Sequence, residues 1–204
     1  MNQDSIIKNT FDKDGYVIID DFLYPDIVDE LHSLAVNCED IDDLYVNGGY
    51  HSINYTKDNL PFDILPDVIN TIHLTFPILH DLEFDRGWTF VYNNEADGVT
   101  PHADPASINV NLWVTRNESV KDPTQNGLII YNKQRPSDWT YDQYNSDVDR
   151  IKNYLTESGA KGRYIPYNYN RIILFDSKYF HKTNGVSMID GKENRRVNYT
   201  FMFK

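Results

Sequence analysis

The sequence predicts a mainly β fold with flanking helices, a sandwich or jelly roll with its N-terminal helices packed on one sheet. Three observations predict it. Beyond Gly87, short β-prone runs follow one another with few helices between them; turn-forming pairs separate those runs; and most of the helical periodicity lies earlier in the chain.

Taken in order, Gly15-Tyr16-Val17-Ile18-Ile19 is a short β-rich run. From Asp26 to about Asn37 the apolar residues Ile27, Val28, Leu31, Leu34 and Ala35 recur at helical spacing, and Pro25 suits the first turn. Residues 42–60, with Gly48-Gly49 and several Asn and Tyr, read as irregular. A second helix is expected from about Pro66 to His80, with Val68, Ile69, Ile72 and Phe76 on one side and Pro77 kinking or shortening it. Strands are then expected at Trp88–Tyr92, Ile108–Thr115, Leu128–Tyr131, Arg171–Phe175 and Val197–Phe203. Asp97-Gly98, Asn126-Gly127, Asn184-Gly185 and Asp190-Gly191 supply turns, and one helix interrupts near Val148, Ile151, Tyr154 and Leu155. No repeat or low-complexity linker divides the chain. Residues 1–204 read as one domain, in which 1–86 support a β-core at 87–204.

Charge and composition exclude several function classes. With 19 basic and 31 acidic side chains the formal charge is -12, and no basic run exists to follow a phosphate backbone, so nucleic acid is not an expected partner. No apolar stretch is long enough to cross a bilayer, so no membrane role is expected. The single cysteine, Cys38, rules out an internal disulfide and a cysteine-based metal cluster. No signal peptide is visible at the N-terminus, and the expected location is the cytoplasm.

Thr100-Pro101-His102-Ala103-Asp104-Pro105 places an imidazole and a carboxylate two residues apart. In an extended segment alternate side chains share a face, so His102 and Asp104 point at one ion. A third donor, His181, follows the run Phe175-Asp176-Ser177-Lys178-Tyr179-Phe180. Two His and one carboxylate on one face of an octahedron leave three positions open for a cosubstrate and O2, the arrangement of non-haem iron(II) oxygenases. His32, His51, His73 and His80 have no such company and read as surface or core histidines.

The last strand carries a second constellation. Val197, Tyr199, Phe201 and Phe203 form one apolar face; Arg196, Asn198, Thr200 and Met202 lie on the other, toward the interior. An Arg fork matches a carboxylate, so Arg196 with Thr200 is suited to grip the far carboxylate of a dianionic cosubstrate. On the strand after the metal motif, Ile108, Val110, Leu112 and Val114 face one way, and Asn109, Asn111, Trp113 and Thr115 the other. On that interior face an amide (Asn109 or Asn111) or the Trp113 indole contacts the cosubstrate, or else Asn109 and Asn111 satisfy backbone groups and Trp113 packs in the core.

These residues together resemble the 2-oxoglutarate/Fe(II) oxygenase superfamily, especially its phytanoyl-CoA dioxygenase-like and prolyl 4-hydroxylase-like branches. The run Phe11 to Leu23 is similar to their opening strand. Val91-Tyr92 leading to Pro101-His102-Ala103-Asp104, Leu112-Trp113-Val114-Thr115 with Asn126-Gly127-Leu128, and Ile173-Leu174-Phe175-Asp176-Ser177 leading to His181 are similar to the runs around their metal ligands. Arg196-Val197-Asn198-Tyr199-Thr200 matches their Arg-x-x-x-Ser/Thr pattern. The resemblance implies a double-stranded β-helix (cupin-like), Fe(II) held by His102, Asp104 and His181, and 2-oxoglutarate as cosubstrate with O2. It places Arg196, Thr200, Asn198, Trp113, Asn111 and Tyr92 around that cosubstrate. The spacing from His181 to Arg196 is long for the pattern, which keeps Arg195 as an alternative. Asp104 stands where halogenating relatives carry a small residue, so the implied reaction is hydroxylation or a related oxidation of a small molecule or of an amino-acid or protein side chain. Lid material is expected in Tyr45–Tyr55 or Trp139–Tyr144, both of which suit packed surface loops equally well. Two other readings remain: a non-catalytic cupin-like module that binds metal or ligand, and a hydrolytic zinc site, which would need a general base not evident in the sequence.

Overall fold

A computed structural model describes residues 3–38, 44–47 and 49–204. Helix α1 (Gln3–Asp14) leads through Gly15, at φ +77°, into β1 (Tyr16–Ile19). The expected Pro-led helix is α2 (Pro25–Asn37), which buries Val28, Leu31, Ala35 and Val36. Strands β2 (Leu44–Asn47) and β3 (Tyr50–Thr56) follow, where an irregular segment was expected; residues 42, 43 and 48 of that segment lie outside the described residues. Tyr, Ile and Thr within this polar stretch favour strand once a neighbouring ladder receives them. Helix α3 (Leu65–Thr75) ends before Pro77, which starts a separate 3-10 turn at Pro77–Leu79 rather than continuing to His80. The remaining elements are β4 (Phe84–Tyr92), β5 (Glu95–Ala96), β6 (Ile108–Trp113), β7 (Gly127–Gln134), α4 (Tyr141–Asn145), α5 (Val148–Glu157), β8 (Gly162–Ile165), β9 (Arg171–Asp176), β10 (Tyr179–Asn184), β11 (Val186–Ser187) and β12 (Val197–Phe203). Among the described residues no helix is long and apolar enough to cross a membrane.

Seven strands form one sheet in the order β1-β9-β6-β12-β4-β3-β2, and a second sheet runs β10-β7-β8. Strand alternation gives the large sheet two different faces. On one, Val110, Leu112, Tyr199, Phe201 and Phe203 pack with Val28, Leu31, Leu65 and Ile72 of the helices. Tyr199 is fully buried there, and its hydroxyl donates to the Leu31 carbonyl at 2.8 Å, so α2 is tied to β12 without an orphaned polar group. On the other face Trp113, Ile173 and Phe175 meet Leu128, Ile130 and Ile165 of the small sheet. The architecture is thus mainly β, with two sheets enclosing an interior and helices covering the outside of the larger one. The expected division at residues 86/87 falls inside β4, and β1 and β3 pair with β9 and β4. Strands β1 and β3 of the N-terminal part thus belong to the large sheet.

Candidate metal centre

His102 and His181 are clamped together by their own backbones. His102 N–H donates to the His181 carbonyl at 3.0 Å, and His181 N–H returns the bond at 2.8 Å. Asp104 N–H donates to Ser177 O at 3.1 Å, so the His-x-Asp segment is stitched to the start of the hairpin that carries β10. His181 follows β9 (Arg171–Asp176) and itself lies within β10. The segment is held from behind as well: Ala103 N–H donates to Tyr144 O, and the Asn145 amide donates to Ala103 O at 3.0 Å. Trp139 and Tyr154 pack on Phe180 in the same small cluster. Of the segment 139–144, only Tyr141 reaches the cavity.

One donor atom from each of His102, Asp104 and His181 lies within 4.8 Å of the others. His102 Nε2 is 3.7 Å from Asp104 Oδ1, and His181 Nε2 is 3.3 Å from Asp104 Oδ2. The two Nδ1 atoms face backbone carbonyls, Thr100 O at 2.8 Å and Tyr179 O at 3.1 Å. A carbonyl only accepts, so each Nδ1 carries the hydrogen and each Nε2 presents a lone pair to the carboxylate. Burial, with the adjacent His181, holds His102 below its ordinary pKa and favours neutral imidazole. Burial pushes Asp104 up, but His102 and His181, whenever either is protonated and turns an Nε2–H toward it, and the Asn109 amide prevail and hold it down at about 2. Lone pairs and an anion converging in a buried site repel one another unless a cation sits among them, so the donor set fits a divalent metal.

Behind the triad, Asn109 Nδ2 donates to Asp104 Oδ2, and Ser177 Oγ donates to Asn109 Oδ1 at 2.9 Å. Asn109 therefore serves a side chain, not the backbone groups it was weighed against.

The interior face of β12 behaves differently from its entry. Arg196 is buried, its Nε donates to Asn126 O at 2.9 Å, and its guanidinium lies 4.9 Å from the Tyr92 ring, 5.5 Å from Trp113 and 5.6 Å from Tyr167. Arg196 Nη1, Trp113 Nε1 and Asn198 Oδ1 are buried without hydrogen-bond partners. A buried cation with an unused donor calls for an anion. Arg195 is placed elsewhere: its carbonyl accepts from Thr115 and faces the His32 ring, on the α2 side. Thr200 Oγ1 donates to Asn111 Oδ1 at 2.9 Å and accepts from Asn198 Nδ2 at 2.9 Å, so its hydroxyl hydrogen is committed to Asn111. A cavity of about 340 Å³ reaches from the triad past Asn111, Asn198 and Thr200 to Tyr92, the residue whose ring the Arg196 guanidinium faces.

No protein-family model and no curated protein matches the sequence, but solved structures do match the fold. A prolyl-4-hydroxylase from Pseudomonas putida superposes with a TM-score of 0.65 at 13% identity, each chain covered fully. The non-heme alpha-ketoglutarate-dependent epimerase SnoN from nogalamycin biosynthesis gives 0.72 at 12% identity, covering 98% of this chain and 82% of its own. HygX from Streptomyces hygroscopicus, with nickel and 2-oxoglutarate bound, gives 0.65 at 10% identity, covering 100% and 87%. The chain has the fold of the 2-oxoglutarate/iron(II) oxygenases.

Within this fold, several residues near the site escape a reading of motifs alone. Thr183 stands two residues after His181 on β10, hence on the same face, and its hydroxyl is 3.2 Å from Tyr92 Oη. Period-two counting from His181 finds it once β10 is recognised. Asn126, buried at φ +68°, presents the carbonyl that holds Arg196; the sequence marks it only as a turn. Tyr167 stacks on Trp113 at 5.1 Å, and nothing in its local sequence points there.

Proposed function

We propose that this chain is an iron(II)- and 2-oxoglutarate-dependent dioxygenase acting as a hydroxylase. One observation carries the reading: two imidazole lone pairs and a carboxylate converge in a cavity lined at its other end by Tyr92, against whose ring lies a buried guanidinium with an unpaired N–H. His102, Asp104 and His181 would hold the iron, and Arg196 would hold the far carboxylate of 2-oxoglutarate, with Trp113, Tyr92, Asn198, Thr200 and Asn111 walling that end. When bound, iron(II) with 2-oxoglutarate and O2 supplies oxidation of an unreactive C–H bond, coupled to loss of CO2 and formation of succinate.

The protein's own part is positional. The paired backbone bonds between His102 and His181 fix two donors at one separation, and Asn109 turns the Asp104 carboxylate. The sheets keep the cosubstrate end dry, so the charge pair at Arg196 is strong. We read the sheet pair as a double-stranded β-helix and residues 1–204 as one oxygenase domain, because strands from both ends of the sequence alternate in the large sheet. A reducing cytoplasm, which keeps iron ferrous, suits this chemistry and a chain with a single cysteine, Cys38. Apart from the triad and tyrosines, no titratable side chain among the described residues lines the cavity, so a hydrolytic zinc reading lacks its base.

The test is an anaerobic titration of the metal-free protein with iron(II) and 2-oxoglutarate. A visible charge-transfer band requiring both is expected, together with succinate formation once air is admitted. Both should vanish in His102→Ala. Iron binding without the band would leave only a metal-binding module.

A further inference from the structure

The cavity has a second half that neither the metal donors nor the Arg196 end uses. Trp88, Phe90 and Tyr92 alternate along β4 and so share its inner face, a row about 13 Å long at ~3.3 Å per residue. Tyr50, opposite Tyr92 on β3, extends the row sideways. Ring centroids are 6.5 Å apart for Trp88–Phe90, 6.1 Å for Phe90–Tyr92 and 5.4 Å for Tyr50–Phe90. Trp88, Phe90 and Tyr50 are only partly buried, unlike the sealed aromatics on the helix side of the sheet, and all three line the cavity. Across from them Thr100, Asn145 and Ser146 offer neutral polar groups.

Charge narrows the occupant. Among the described residues no Lys or Arg lines this cavity, and the carboxylate that does, Asp104, belongs to the triad, so neither an anion nor a cation finds a free counter-charge there. Arg86 is paired with Asp85 at 2.8 Å, and Arg196 donates to Asn126 and faces the cosubstrate end. An anion entering here would meet a chain of formal charge -12 and find no partner. Neutral hydroxyl and amide groups opposite a row of open ring faces suit a flat, uncharged molecule lying on the row.

We propose that the substrate is an uncharged small molecule with a planar ring, seated on Trp88, Phe90 and Tyr50 beside the metal donors. Acyl-CoA thioesters, phosphorylated compounds and free carboxylates are outside this class. The proposal rests on the oxygenase reading for the oxidation, but the binding is measurable without it.

Equilibrium dialysis under anaerobic conditions, with iron(II) present and 2-oxoglutarate occupying the Arg196 end, would compare three matched indoles: indole-3-ethanol, indole-3-acetate and tryptamine. The neutral alcohol is expected to bind at least about tenfold more tightly than either charged analogue, and Phe90→Ala to weaken it about tenfold. Trp88→Leu, tested alongside, serves if Phe90→Ala does not fold. Equal or tighter binding of the acetate or the amine overturns the proposal, as does no binding of any, or no loss in a folded variant. Failure of the oxygenase reading looks different: no charge-transfer band in the wild-type protein while the alcohol still binds.

Discussion

Asp104 has two carboxylate oxygens in unlike surroundings. Oδ2 accepts the Asn109 amide and sits 3.3 Å from His181 Nε2, while Oδ1 faces His102 Nε2 at 3.7 Å. Asn109 therefore fixes the carboxylate's rotation, and Ser177 fixes Asn109. Asn109→Ala should weaken binding of a divalent probe such as Co(II) by about 10–100-fold with the fold retained; unchanged affinity in the titration would deny Asn109 this role. The two arginines separate in the same way. Arg196→Met should weaken 2-oxoglutarate binding more than about tenfold and leave Co(II) affinity intact, because it removes the only buried cation at that end. Arg195→Met should leave both unchanged, since Arg195 lies toward α2. The thermal midpoint of the metal-free Arg196→Met protein should not fall, because a buried charge with an unused donor contributes little to stability. Loss of 2-oxoglutarate binding in Arg195→Met but not in Arg196→Met would reverse the assignment.

At the scale of elements, the site depends on how β7 begins. Asn126, at φ +68°, accepts Ser187 N–H at 2.8 Å, donates to Asp122 O and Ser187 O, and aims its carbonyl at Arg196. Gly127 follows because β7 and β8 run too close for a side chain: a Cβ there would overlap the Ile165 carbonyl oxygen and the Tyr164 ring. Gly127→Ala should destabilise by about 1–3 kcal/mol, as backbone must move to relieve overpacking, readable as a lowered urea midpoint. A midpoint equal to wild type would mean that β7 and β8 part freely. This turn also shows what the sequence discloses and what it hides. Strands with an uninterrupted apolar face, such as β6, β9 and β12, are legible, since Ile108, Val110, Leu112 and their counterparts alternate. Strand β10, with Lys182, Thr183 and Asn184 after its metal donor, has no such stripe and exists because β7 receives it. The first helix, α1, is polar along most of its length and buries chiefly Ile7, so helical periodicity barely registers. The donor residues are legible because chemistry restricts them to His and Asp; Tyr167 and Asn109 are not, because only tertiary placement gives them a partner.

Over the whole molecule, the large sheet can be completed only when β12, at the C-terminal end of the described chain, enters between β4 and β6. That insertion draws the helices, Arg196 and the triad into one cooperative unit, so protonation at the site is felt as stability. Three histidines are held below their ordinary pKa: His102 by burial and His181, His32 by burial, and His51 by burial with Arg195 and Lys192 nearby. Each binds a proton less readily folded than unfolded. The unfolded chain therefore takes up more protons as pH falls through about 6.5, and stability is complete above that value and declines below it. Asp104, held at about 2, adds a loss only at still lower pH, beneath the ordinary carboxylate value. The formal charge of -12 acts in the opposite sense, since its self-repulsion relaxes on acidification, but salt near 0.5 M screens it to within a few ångströms, about 4 Å. Urea midpoints of the metal-free protein in that salt should fall from pH 7 to pH 5. Saturating Co(II) should raise the pH 7 midpoint and steepen the decline, because the metal competes with protons for His102 and is released as they bind. A metal-free midpoint that stays level or rises over this range would mean that these histidines are not held neutral by the fold.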